Sequence, residues 1–209
     1  MVAWLEVQGT VDLVAAIAKG SDESRGYEPH IGVDCAKLAR QVRHSGRPTI
    51  GLLPTGRVID DGRDTSLYAF ACELAFAIGV LTHTLSVILD PEQASGVPPA
   101  DQRSTFYAHL PAPNVAVLVP GMRAPAGARF EMIRLLTQWI EPMRDTIGQV
   151  LVDLRGCRLP GELLGATHLL DGIMVVGKSG RVDERDLDRS TRMVPPELYL
   201  GVVLTAEAK

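Results

Sequence analysis

Six short runs of the chain consist almost wholly of β-branched and other apolar residues. They are "TIGLL" from Thr49, "TLSVILD" from Thr84, "VAVLV" from Val115, "QVLVDL" from Gln149, "GIMVVG" from Gly172 and "LGVVLT" from Leu200. Most are continuously apolar rather than alternating. A strand with one wet face alternates; a strand covered on both faces does not. Between the runs lie segments with helical spacing. Ile31, Cys35, Leu38, Ala39 and Val42 recur on one face, and Gly46 closes that helix. Ser66 to Ile78 form a second helical segment. Phe130 to Ile140 form a third, with Ile133, Leu136 and Ile140 on one side. "ELLGATHLL" is a short fourth and the polar "DERDLDRSTRM" a fifth. This alternation predicts an α/β fold: a mostly parallel sheet of about six or more strands, with helices on both faces, in three layers. The 209 residues suffice for one domain with a full core. Residues 1–30 read as an N-terminal extension with one helical pattern, "VDLVAAIAK", and residues 31–209 as the domain. The segment Pro91 to Pro113, rich in proline and polar residues, breaks the alternation and reads as a surface excursion or a lid-like loop.

Several function classes are disfavoured by composition. The net charge is −4, with no concentrated basic face for nucleic acid. The longest apolar stretch, Leu67 to Leu81, is interrupted by Glu73 and falls short of the ~20 residues a membrane span needs. The start, "MVAWLEVQGTVDLVAA", lacks the basic residues and apolar core of a secretory signal, so a cytoplasmic location is expected. Cys35, Cys72 and Cys157 are far apart and form no C-x-x-C pair, which predicts buried or half-buried free thiols. Neither they nor the five histidines show zinc-ligand spacing. The mixed charges from Arg181 to Arg192 read as a solvated, salt-bridged helix face.

In an open parallel sheet, ligands bind beyond the carboxyl ends of the strands. The first run ends in a polar loop, "PTGRVIDDGRDTS", which leads into the second helix. The second run ends in Asp90, the fourth in Asp153 and the last in Thr205. Two strand-end aspartates beside a loop at a helix start suit a magnesium–nucleotide site. Strand-end aspartates also cap helices and turns, which is the alternative reading.

The order of these pieces resembles the MinD/ParA-type P-loop ATPases, and most closely the cytoplasmic kinase domain of bacterial tyrosine kinases of capsule and exopolysaccharide systems, the CpsD and Wzc type. The resemblance runs from about Ile31 to Thr205. "DCAKLARQVR" stands where that family carries E-x-x-R-x-x-R on a helix, through Asp34, Lys37 and Arg40. "ACELAFAIGVLTHTLSVILDPEQ" places Asp90 on the aspartate of the second Walker-type motif, and "VLVDLRG" places Asp153 on the Walker B aspartate. "PNVAVLVPG", "HLLDGIMVVGKSGRVDERDL" and "LGVVLT" follow in the family's order. The resemblance implies the P-loop NTPase-like fold and, if magnesium binds, a role for Asp90 and Asp153 as catalytic or metal-binding residues.

The phosphate loop departs from that pattern. G-x-x-x-x-G-K-[ST] works because backbone N–H groups surround the phosphates while the lysine reaches the β and γ oxygens. Here the segment reads "TGRVIDDGRDTSLYAF", Thr55 to Phe70, and no lysine lies between Lys37 and Lys178. Asp60, Asp61 and Asp64 make it acidic, and each carboxylate within ~4 Å of a phosphate costs about 1 kcal/mol in water and more when buried. An atypical pocket would have to use Arg57, Gly62, Arg63, Thr65, Ser66 and Thr205. The Walker B continuation is Leu154 and Arg155, Thr205 replaces the family's terminal asparagine, and the tyrosine-rich tail is missing.

The expected protein is therefore a degenerate, pseudo-ATPase member of this resemblance class, with no cofactor; ATP and magnesium enter only if the atypical loop works. The resemblance implies a helix surface for self-association, Asp34, Lys37, Arg40 and Arg43, and a membrane-embedded polysaccharide chain-length regulator as partner, which would recruit the chain to the inner membrane. Two alternatives stand beside it: an active nucleotide-binding ATPase or tyrosine kinase with an arginine-based loop, and an accessory of a MinD/ParA-type positioning ATPase.

Overall fold

The computed structural model describes residues 5–7, 33–55, 65–91, 106–121, 127–157 and 160–205. The strands are β1 (Leu5–Val7), β2 (Thr49–Pro54), β3 (Leu85–Leu89), β4 (Phe106–Ala112), β5 (Val115–Pro120), β6 (Ile147–Asp153), β7 (Gly172–Lys178) and β8 (Tyr199–Thr205). The helices are α1 (Val33–Ser45), α2 (Thr65–Thr82), α3 (Arg129–Ile140), α4 (Pro160–Thr167) and α5 (Glu184–Arg192), with a 3-10 segment, Glu141–Thr146, after α3. Each of the six apolar runs is a strand.

The strands form one sheet in the order β1-β4-β5-β3-β6-β2-β7-β8. β2, β3, β5, β6, β7 and β8 pair in parallel. β4 is antiparallel to β5, and β1 to β4, so among the described strands only β4 runs against the rest. Continuous apolarity has its cause in two cores, one on each face of the sheet. On one face α1 and α2 cover Ile50, Leu52, Ile88, Leu151 and Met174. On the other, α3, α4 and the 3-10 segment cover Val87, Leu89, Val150, Val152 and Val175.

Helix α1 shows how sequence sets this packing. Cys35, Ala39 and Val42 are buried in the core shared with α2, while Asp34, Lys37, Arg40 and Arg43 are exposed. Gly46 ends the helix at φ 65, a left-handed turn that costs glycine nothing. Helix α2 reaches Thr82, four residues beyond its apolar pattern, because Thr82 closes the last turn with a hydroxyl hydrogen bond to Ile78 O at 2.8 Å.

One expectation needs correction. Pro91 to Pro113 is not wholly an excursion: Phe106–Ala112 is β4, an integral strand that makes a hairpin with β5. Asn114, at φ 61, supplies the left-handed residue of the connecting turn. β1 adds a strand from the first residues of the chain to the outer side of β4, matching Leu5 to Ala108 and Val7 to Phe106. The helical pattern "VDLVAAIAK" lies outside the described residues. Among the described residues no helix is long and apolar enough to cross a membrane.

Candidate functional site

The sheet brings the two strand-end aspartates together. β3 and β6 are neighbours, with Leu89 opposite Val152, so Asp90 and Asp153 leave adjacent parallel strands at the same edge. β2 flanks β6 on the other side, with Leu52 opposite Asp153, so that Thr55, where the described part of the chain after β2 stops, follows the same strand ends. Asp90 is 3% and Asp153 4% exposed.

A guanidinium lies between them. Arg155 Nε donates to Asp153 Oδ2 at 2.7 Å, and Arg155 Nη2 donates to Asp90 Oδ2 at 3.1 Å. The Arg155 backbone N–H also donates to Asp153 Oδ1, at 2.8 Å. The turn after β6 explains this return. Leu154 N–H stays on the sheet, donating to Leu52 O at 3.0 Å, and Cys157 N–H donates back to Leu154 O at 3.0 Å. Arg155 therefore sits at the tip of a tight turn whose Asx-type closure aims its side chain over the strand ends. Charge-assisted bonds to a planar guanidinium are the strong kind, and here one cation serves two carboxylates.

Arg129 stands close by. It opens α3, and its backbone N–H donates to the buried Glu162 Oε1 on α4 at 3.3 Å. Its side chain lies against Gly156. A Cβ at that glycine would come within 1.9 Å of Arg129 Cδ and 2.1 Å of Nη1. The absence of a side chain at position 156 is what makes room for Arg129.

Burial dominates the electrostatics. It pushes the Asp90 carboxyl up to about 8; the Asp153 charge adds to the shift, and Arg155 and Arg129 oppose it. Asp153 is also raised by burial, against the pull of Arg155 and then Arg129. The two carboxylates thus form a buried pair that favours retaining a proton even with a guanidinium between them. Magnesium takes near-octahedral oxygen ligands at ~2.0–2.1 Å and keeps several waters. Oδ2 of Asp90 and Oδ2 of Asp153 both accept from Arg155, which sets a positive charge against the two carboxylates that an ion would need. As arranged, these residues do not fit a magnesium ion.

The other expected residues fare differently. Arg57, Gly62 and Arg63 lie outside the described residues. Thr65 and Ser66 form the first turn of α2. Thr205 ends β8 and donates its hydroxyl to Gly177 O at 3.3 Å. Thr55, the last described residue before the loop, has a buried hydroxyl with no hydrogen-bond partner among the described residues. Asp34 and Lys37 approach to 3.6 Å on the open face of α1, with both side chains largely exposed. Pairs of this kind contribute little to stability.

The cysteines are free thiols; Cys35 and Cys157 are buried and Cys72 half-buried. Burial pushes the Cys35 thiol up to about 12, with Glu73 adding to the shift. It pushes Cys157 to about 12 and Cys72 to about 11. Burial also raises the Tyr68 hydroxyl, followed by its contact with Cys72. Since the thiolate is the reactive form, iodoacetamide at pH 7 should label the native protein far more slowly than the urea-unfolded chain. A thiol labelled in the folded state at the rate of free cysteine would contradict this.

Arg155 and Arg129 were not among the expected site residues. A signal for Arg155 was present, an arginine two positions after a strand-end aspartate. The partnership with Asp90, 65 residues away, is a product of the fold.

No protein-family model matches the chain, and no curated protein matches it. Solved structures do. The BceF tyrosine kinase domain superposes with a TM-score of 0.62 at 14% identity, covering 94% of this chain and 88% of that one. The chimerical protein CapA2B2 gives 0.63 at 12% identity, covering 90% and 89%. The VpsO kinase domain gives 0.56 at 12%, covering 96% and 100%. At this identity the likeness is one of fold: the chain has the P-loop NTPase-like, three-layer architecture of bacterial tyrosine kinase domains.

Proposed function

We propose that this protein is a catalytically degenerate P-loop NTPase-like protein, a regulator or scaffold, in bacterial exopolysaccharide synthesis or export. The observation that carries the reading is Arg155, bonded at 2.7 Å to Asp153 and at 3.1 Å to Asp90 across the position an ion would need. The loop sequence supports it independently: no lysine between Lys37 and Lys178, and three aspartates in the segment that stands in sequence where the phosphate loop would be. The exopolysaccharide setting rests on the ordered motif resemblance. On this reading the protein works through surfaces. The exposed face of α1, with Asp34, Lys37, Arg40 and Arg43, meets a second copy or a membrane-embedded chain-length regulator.

Titration calorimetry with ATP and ADP in the presence of magnesium tests this. The expected result is no binding in the micromolar range. Micromolar affinity that Asp153→Ala abolishes would overturn the proposal in favour of an active nucleotide-binding enzyme using Arg57 or Arg63.

A further inference from the structure

The two margins of the sheet are finished differently. β1, three residues long, covers the outer side of β4. β8 is the last strand at the other end, and among the described strands it pairs with β7 alone. Strands that stay single at a margin are guarded by charge, proline or brevity. β8, "YLGVVLT", is seven residues long and carries neither charge nor proline. Its one guard is local: the register with β7 shifts beside Gly201, which stands at φ 127. Past that irregularity, Val202 to Thr205 pair evenly with Val175 to Lys178. No residue of β8 is fully buried, whereas β7 beside it is buried almost throughout. Leu204 is 57% exposed and Tyr199 40%, two of the four large apolar side chains that stand exposed among the described residues. The backbone fixes which groups face outward. Thr205 O accepts from Ser179 N–H at 2.9 Å, on the β7 side. Backbone groups alternate sides along a strand, so Val203 and Thr205 turn theirs to β7, and Val202 and Leu204 turn theirs outward.

We propose that β8 is a self-association strand: two copies of the chain pair antiparallel about Val203, Val202 of each exchanging both backbone bonds with Leu204 of the other, to form one continuous sheet. In that register Leu204 lies beside Val202 of the second copy, on the side of the sheet where Val202 and Leu187 of α5 pack on the same core. The flanking helix favours a second copy over a foreign strand. A two-fold axis normal to the sheet sets the two α5 helices antiparallel on one side of the seam. Glu184 and Asp186 lie in the first turn of α5, and Arg189 and Arg192 in its last, so each end of one helix meets the opposite charge on the other. Within one copy α5 buries no residue. The surface is separate from the charged face of α1, and the inference does not depend on the reading of the Asp90–Asp153 pair.

Sedimentation equilibrium of the full chain over the micromolar range tests this. Wild type should reach twice the 22.5 kDa of one chain. Leu204→Pro removes an outward N–H and no bond to β7, so it should keep its circular dichroism spectrum while the dissociation constant rises at least about a hundredfold. Arg40→Glu with Arg43→Glu, on α1, should leave this dimer intact. Oxidation by copper–phenanthroline reads the register directly. Residues facing each other in a non-hydrogen-bonded antiparallel pair have Cα atoms ~4.5 Å apart, within disulfide reach. Val203→Cys should therefore cross-link two copies, and Tyr199→Cys, which faces no residue of the second β8, should not. A wild type that stays monomeric leaves this margin to a strand of another protein and overturns the inference. A dimer that survives Leu204→Pro, a dimer lost with the α1 substitutions, or cross-linking as fast at position 199 as at 203 overturns it too, and each leaves the proposed function standing. If Leu204→Pro does not fold, the two cysteine variants decide.

Discussion

Replacing Arg155 by methionine is expected to destabilise the protein by about 3 kcal/mol or more, because it strands two buried carboxylates that now share one guanidinium. Charge loss at the surface would cost a fraction of that, but the Arg155 side chain is only 18% exposed and each aspartate side chain 5%. The loss should be read from urea denaturation at pH 9, above the raised range of the Asp90 carboxyl. It should shrink toward pH 5, where the protonated carboxyls no longer need a counter-charge. Adding Asp90→Asn to the methionine variant should recover part of the lost stability by removing one stranded group. An effect below about 0.5 kcal/mol, the range of ordinary surface substitutions, would mean that the bridge is incidental.

The second large effect is on pH. The Asp90 carboxyl is raised from its ordinary value of 3.8 to about 8. Between those values the native protein holds a proton that the unfolded chain has released. Stability from this group is therefore complete below about pH 4 and declines as pH rises through about 8. Asp153, raised in the same sense, adds to the slope. Wild-type stability should fall from pH 5 to pH 9 by an amount on the order of a few kcal/mol, the scale set by a shift of several pH units. Asp90→Asn should flatten that curve, losing its disadvantage or gaining an advantage as pH rises. A wild-type profile that climbs over this range would show that Arg155 outweighs burial, contrary to the balance described here.

The parts of the fold written locally were legible. Buried strands announce themselves by unbroken apolarity, and β2, β3, β5, β6, β7 and β8 all did. β4 did not: "FYAHLPA" mixes a histidine and a proline into its apolar residues, and its neighbourhood is rich in proline. Its strand character comes from pairing with β5 on one side and β1 on the other. β1, "LEV", is too short to carry a period. The site divides in the same way. Asp90 and Asp153 were found because strand-end position can be inferred from sequence order. The arginines were missed because a guanidinium's partner is decided by which strands become neighbours. β6 lies between β2 and β3 in the sheet although it comes long after both in the chain. Gly156 illustrates the remaining limit: sequence shows a glycine, and only the packing of α3 shows that an arginine needs the space.

The pairing of β1 with β4 has a practical consequence for anyone trimming this protein. The boundary near residue 30, natural from sequence, would discard Leu5–Val7 and leave the outer backbone of β4 without its described partner. Phe106 and Tyr107, 3% and 5% exposed in the whole chain, lie opposite Val7 and Glu6 on that margin. Bare strand margins recruit other strands, and intermolecular pairing leads to aggregation. A shortened version would then be prone to precipitate or form spurious multimers, easily mistaken for a biological assembly. Expression should retain Leu5–Val7.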